Sequence, residues 1–110
     1  MPCIIIKAKK SDQRADVEAL SRELSCRTGI GLERINIMVD YYSHEDYFTR
    51  DDHLIILIFI SELNKKSIIE QLSQTTAALS EQYFNKKENS SAVICNLIKE
   101  GHLLVNGIKK

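Results

Sequence analysis

Residues 3–8, Cys-Ile-Ile-Ile-Lys-Ala, form a continuous β-branched run, the pattern of a strand covered on both faces. Ser11 is placed to cap a helix, with Asp12 in the first turn where a carboxylate complements the helix dipole. Val17, Leu20 and Leu24 recur at helical spacing, and Gly29 closes that segment. From Ile35 the period becomes two: Ile35, Ile37 and Val39 alternate with Asn36, Met38 and Asp40, which predicts a second strand. A polar loop over 43–53 leads to a third strand, Leu54 to Ile60. A second helix follows from about Lys65 to Tyr83, its apolar stripe made of Ile68, Ile69, Leu72, Leu79 and Tyr83. Another polar loop separates it from a fourth strand, Ala92 to Ile98. Asn106-Gly107 is a two-residue hairpin turn, so residues 101–110 predict a short terminal ribbon.

The order is β-α-β followed by β-α-β. It predicts one domain over 1–110 of the α/β class: a two-layer α+β arrangement with a four-stranded mixed sheet and both helices on one face. The two units, about 2–42 and 54–98, superpose by simple offsets. Adding 52 carries Ile4, Ile5 and Ile6 onto Ile56, Leu57 and Ile58, and Val17 and Leu20 onto Ile69 and Leu72. An offset of 58 then carries Ile35, Ile37 and Val39 onto Val93, Cys95 and Leu97. This reads as an internal duplication, or as the patterning any two βαβ units share. Both alternating sets of the inner strands are apolar, so helices on one face would leave the other oily, beyond what monomers tolerate. A homotrimer closing three sheets around an axis would cover it.

Composition narrows the function. The 110 residues carry 15 basic and 15 acidic side chains, which removes the basic footprint of a general nucleic-acid binder or acidic-membrane binder. A hydrophobic share of 44% excludes an intrinsically disordered chain, and the longest apolar run is far short of the ~20 residues that span a bilayer. Cys3, Cys26 and Cys95 form no Cys-x-x-Cys pair and read as three small buried hydrophobes in a reducing cytosol, which suits a cytoplasmic protein. His44, His53 and His102 are scattered through loops and tail, and no glycine-rich phosphate loop is present, so neither a metal nor another cofactor is expected. The aromatic cluster Tyr41, Tyr42, Tyr47 and Phe48 packs across the sheet edge or, in an assembly, lines a neighbour's pocket; the first is the simpler account.

The candidate chemistry lies at the start of the chain. Methionine before a small residue is normally trimmed, and loss of Met1 would leave Pro2 with a secondary amine at the head of a buried strand, a place that proline tolerates. An apolar pocket with nearby cations disfavours the protonated amine, and a neutral amine can take a proton from carbon beside a carbonyl. With Met1 retained, the Pro2 nitrogen is a tertiary amide without basicity.

Met-Pro opening on a strand, Lys9-Lys10-Ser11-Asp12-Gln13 ahead of the first helix, Thr28-Gly29 before the second strand, and the ending Leu103-Leu104-Val105-Asn106-Gly107 are the relevant motifs. With them the chain resembles the tautomerase superfamily, which includes 4-oxalocrotonate tautomerase and macrophage migration inhibitory factor. The resemblance spans nearly the whole chain on short motifs. It implies that family's fold, a trimer, and keto–enol isomerisation of a small acid with Pro2 as general base. It places Lys10 where bacterial members have a carboxylate-binding arginine, and Asn96 on an asparagine of the longer members. Two departures thin the cationic equipment: Asn36 stands at a second arginine and Ile30 at a lysine. Lys7, Lys9, Lys10 and Arg34 are possible substitutes, although a solvated face is the commoner role for such residues. Two other readings stay open, a non-catalytic oligomeric binding protein of the same fold and a ferredoxin-like regulatory module. Strand pairing separates the second, since ferredoxin-like sheets are antiparallel throughout.

Overall fold

The run after Pro2 does become a strand, but its alternation matters more than its hydrophobicity. In the computed structural model, which describes residues 2–10 and 12–110, β1 spans Cys3–Lys9. Ile4, Ile6 and Ala8 are wholly buried beneath the helices, while Cys3, Ile5 and Lys7 face the other side and are only half-buried. The strand is therefore not covered on both faces in the single chain. Strand β3, Leu54–Ser61, repeats this, with Leu54, Ile56, Ile58 and Ile60 inward and Ile55, Leu57 and Phe59 half-exposed.

Strand β2, Asn36–Tyr42, lies parallel to β1, and β4, Ser91–Ile98, lies parallel to β3. The two units meet where β1 runs antiparallel to β3, giving the order β2-β1-β3-β4. Parallel pairing inside each unit excludes the ferredoxin-like arrangement. Helices α1, Val17–Thr28, and α2, Lys66–Tyr83, cover one face, where Leu20, Leu24, Leu72, Leu79 and Phe84 join the inward isoleucines. Register corrects one offset. Ile37 lies beside Ile4 and Val93 beside Ile56, so the second strands correspond at 56 residues, not 58. The slip is two residues, which keeps every side chain on its face and so leaves no trace in the hydrophobic pattern.

Helix α1 starts later than the sequence suggests. Ser11 lies outside the described residues, and Asp16 is the cap, its carboxylate accepting from the Ala19 amide at 3.0 Å. Asp12 is not in the first turn because it ties the connection down elsewhere. Its carboxylate accepts from the Lys9 amide and from Lys86 Nζ, each at 2.8 Å. Gly29 closes α1 as expected, at φ 76°, a conformation costly for any side chain with a Cβ.

The three cysteines are free thiols, but they are not buried: Cys26 is exposed and Cys3 and Cys95 are half-buried. Cys26 stands two residues beyond Leu24, on the opposite side of the helix from the core stripe. On α2, Ile68 is similarly at the surface, and the buried stripe runs instead through Leu72, Thr76, Leu79 and Ser80 to Glu81.

Glu81 explains how a carboxylate survives there. Its oxygens accept from the Asn89 amide at 3.0 Å, the Ser90 amide at 3.1 Å and the Ser91 hydroxyl. One buried charge thus fixes the whole turn into β4. The tail forms the expected ribbon, β5 at Leu104–Val105 against β6 at Ile108–Lys109, with Asn106 and Gly107 both at positive φ. Across the sheet edge, the Tyr47 hydroxyl donates toward the carbonyls of Lys7 and His53, so the 43–53 loop does pack on the sheet, whereas Phe48 is 98% exposed. Among the described residues no helix is long and apolar enough to cross a membrane.

Replacing Glu81 with alanine takes the acceptor from three donors of the turn into β4. Glu81→Ala is expected to lower unfolding stability by about 2–3 kcal/mol, from the cost of unmaking hydrogen bonds to a charged group. Urea titration checks it; a loss near zero would show that water replaces the carboxylate.

Candidate active site

Proline suits its position because the head of β1 has no amide to give up. Pro2 is buried, and its carbonyl accepts from the Asn36 amide at 3.2 Å and from the Asn36 side-chain Nδ2 at 3.4 Å. In a parallel βαβ unit the two strands begin side by side, so whatever precedes β2 becomes a neighbour of Pro2. What precedes it is a single helical turn, Leu32–Arg34, closed by the Arg34 amide on the Gly31 carbonyl at 2.9 Å.

A cavity of about 170 Å³ opens between Pro2 and this turn. Ile30, Ile60 and Ile68 make its apolar walls, Thr28 and Asn64 supply polar edges, and Arg34 borders it as the one ionic side chain among the described residues. The connection from α1 is pinned by local bonds: the Thr28 hydroxyl donates to the Leu24 carbonyl and accepts from the Ile30 amide, and the Ser25 hydroxyl donates to the Ile30 carbonyl at 2.6 Å. Among the described residues Arg34 forms no ion pair, leaving its guanidinium available to an anion. That fork matches a carboxylate in a bidentate pair.

Of the residues expected at the site, Asn36 touches Pro2. Asn96 is exposed on β4, in the same cross-sheet row through Cys3 and Phe59. Two strand spacings put it roughly 10 Å from Cys3. Lys10 lies beyond the opposite end of β1, eight residues and roughly 26 Å from Pro2 along an extended strand. The chain does not bring Lys10 to its own Pro2.

Lys7 and Lys9 are also at that far end and have partners. Lys7 Nζ lies 2.7 Å from the Tyr42 hydroxyl and 3.2 Å from Asp40, and these two bonds raise its pKa above the usual lysine range. Lys9 pairs with Asp52 and holds that carboxyl below its ordinary 3.8. Sequence reasoning named Arg34 only as one of several possible substitute cations, with a solvated face as the commoner role. Its signal was available: it stands immediately before the period-two run that must lie parallel to the strand after Pro2.

The fold is that of tautomerase-superfamily structures. A fused 4-OT asymmetric trimer superposes with a TM-score of 0.80 at 13% identity, covering 97% of this chain and 94% of its own. A member of the cis-3-chloroacrylic acid dehalogenase family, N1, gives 0.77 at 14% identity, with 97% and 82% covered. Pt0534, solved after inactivation by 2-oxo-3-pentynoate, gives 0.77 at 11% identity, with 94% and 92% covered. No family model and no curated protein sequence matches the chain. At such identities the likeness establishes the fold.

The Lys9–Asp52 pair sets a pH dependence that is independent of the Pro2 end. Because the folded carboxyl titrates below its ordinary value, its contribution to stability is present above pH 3.8 and is lost as pH falls through the lower folded pKa. Asp52→Asn tolerates the same positive φ and removes the charge. The variant is expected to be less stable than wild type near neutrality, with a gap that shrinks as the pH falls below 3.8 and through the lowered folded pKa, in low-salt thermal melts. A gap that persists in acid would assign the effect to something other than this pair.

Proposed function

We propose that this protein is a cytoplasmic homotrimer catalysing proton transfer on a small enol or 2-oxo acid, with Pro2 as the base once Met1 is removed. The observation that carries the reading is the cavity itself: a buried Pro2 and an ion-pair-free Arg34 border the same small, apolar-walled space. The fold supports it. So does the inactivation of the structural neighbour Pt0534 by a 2-oxo acid.

The chemistry asks for little beyond these groups. The Pro2 amine takes the enol O–H proton and the resulting ammonium delivers it to carbon. The C=C bond becomes C–C as C–OH becomes C=O, and the amine is regenerated. Isoleucine walls keep the amine neutral by penalising its charge, and Arg34 beside it acts in the same direction. Arg34 also holds the carboxylate, a role that Asn36, an amide on the Pro2 carbonyl, would assist only by orienting the strand head. In a trimer Lys10 and Asn96 would reach a Pro2 cavity from another copy. The trimer is supported by the open face, where Ile5 and Leu57 lie between Met38 and Ile94, both about half-exposed at 52% and 51%.

Protein lacking Met1 is expected to ketonise phenylenolpyruvate and to gain one 2-oxo-3-pentynoate adduct at Pro2, as the amine adds across the alkyne. Protein with a residue ahead of Pro2 is expected to do neither. Intact mass with peptide mapping and an absorbance assay decide; equal rates for the two forms would leave a non-catalytic binding protein of this fold.

Arg34→Ala is expected to lower kcat/KM by about 10- to 100-fold, the value of a charge-assisted bond. Light scattering at micromolar concentration is expected to give a trimer. A 12.6 kDa particle would remove the assembly from the proposal.

A further inference from the structure

Among the described residues five other than glycine hold a positive φ, and three of them are asparagines: Asn85 at 54°, Asn89 at 61° and Asn106 at 52°. They differ in what the following residue does with its amide. The Lys86 amide donates to the Glu81 carbonyl at 2.7 Å, and the Ser90 amide donates to the Glu81 carboxylate at 3.1 Å. Gly107 follows Asn106, and among the described residues neither its amide nor the Asn106 carboxamide has a hydrogen-bond partner. Both residues are exposed, and a Cβ at Gly107 would meet no heavy atom within 4 Å. A carboxamide and a free, uncrowded amide nitrogen are thus adjacent in the chain.

The ribbon around them is lightly held. Its strands are two residues each and pair only with each other, in a sheet of their own. Two further bonds close it, from the Gly101 amide to a Lys110 main-chain oxygen at 2.6 Å and from the Lys110 amide to the Leu103 carbonyl at 2.7 Å. A two-stranded hairpin of this size is marginal by itself, and such segments open locally far more often than the whole chain unfolds. Leu103 and Val105 face Glu33, Arg34 and Ser61 across a space at the end of the large sheet, so the ribbon covers that end.

We infer that Asn106-Gly107 is a self-modifying site whose isoaspartyl product unlatches the terminal ribbon. The Gly107 nitrogen bonds to Asn106 Cγ, the Cγ–Nδ2 bond breaks, and Nδ2 leaves as ammonia with the Gly107 proton. The flat five-membered ring so formed does not fit a left-handed residue, so it closes while the ribbon is open. Water then adds across one of the two C–N bonds made by the ring nitrogen. Breaking the bond to Cγ leaves an ordinary aspartate, which tolerates positive φ and keeps the turn. Breaking the bond to the main-chain carbonyl carbon routes the backbone through Cγ instead. That route adds a methylene to a two-residue turn, so the Val105–Ile108 pairing is lost and the end of the large sheet is uncovered. None of this depends on the chemistry at Pro2.

The test ages the folded protein in mildly alkaline buffer and maps isoaspartate by peptide mass spectrometry, with an isoaspartyl methyltransferase as the probe. Freeing one amide hydrogen bond slows a reaction by about tenfold, so Asn106 is expected to convert about tenfold faster than Asn85 or Asn89, or more. Asn106→Gly keeps a turn sequence that accepts positive φ and is expected to give no product there. The isoaspartyl fraction, separated by ion exchange, is expected to lose hydrogen-exchange protection at Ile108 and Lys110. Fresh Asn106→Asp carries the same charge without the methylene and is expected to retain that protection. Product at 106 in urea but none in the folded protein overturns the inference, as do equal rates at the three asparagines. An isoaspartyl fraction with its ribbon protected, or equal loss in Asn106→Asp, overturns it as well.

Discussion

The antiparallel ladder between β1 and β3 is the constraint from which the rest of the molecule follows. It joins two parallel units head to tail, with Ile5 directly opposite Leu57. Both crossover helices then fall on one face, and the opposite face receives the other half of every inner strand's alternation. Because the inner strands are apolar at both sets of positions, one layer of helices completes a core and still leaves an oily surface. The same ladder sends the start of β1 and the start of β3 to opposite ends of the sheet. The Pro2 end and the charged Lys7–Asp40, Lys9–Asp52 end are therefore separated by the full length of a strand.

The sheet and helices were legible in the sequence because burial writes its period directly into the residues. Period two marked β2, helical spacing marked α2 to within a residue, and Asn106-Gly107 marked the ribbon turn. What escaped was carried by side chains that act against their usual statistics. Asp12 looked like a helix-starting acid and is instead a tether to Lys86 and the Lys9 amide. Glu81 sits on the buried stripe because three donors from the next turn meet it, and those donors lie eight to ten residues away in a segment with no pattern of its own.

The candidate site was half legible. Pro2 and Asn36 are neighbours because strand heads in a parallel pair must be neighbours, and that could be read without coordinates. Lys10 was placed by likeness to other chains, a criterion blind to the length of β1. Arg34 was named but could not be singled out. One possible substitute cation among several, it is held at the Pro2 cavity by a single helical turn whose three residues are too few to show any periodicity.

The burial of Pro2 also fixes a schedule. An aminopeptidase needs a free, extended terminus, and Pro2 is enclosed once β1 has found β2 on one side and β3 on the other. During synthesis those partners emerge late, the last residue of β3 being Ser61. At about 5–20 residues per second Pro2 is accessible for roughly 3 to 12 s before the sheet can close over it. On that reading, trimming ahead of Pro2 is a race against the chain's own elongation. Under the proposed function, the share of molecules with a free Pro2 amine would be set during synthesis, by translation speed.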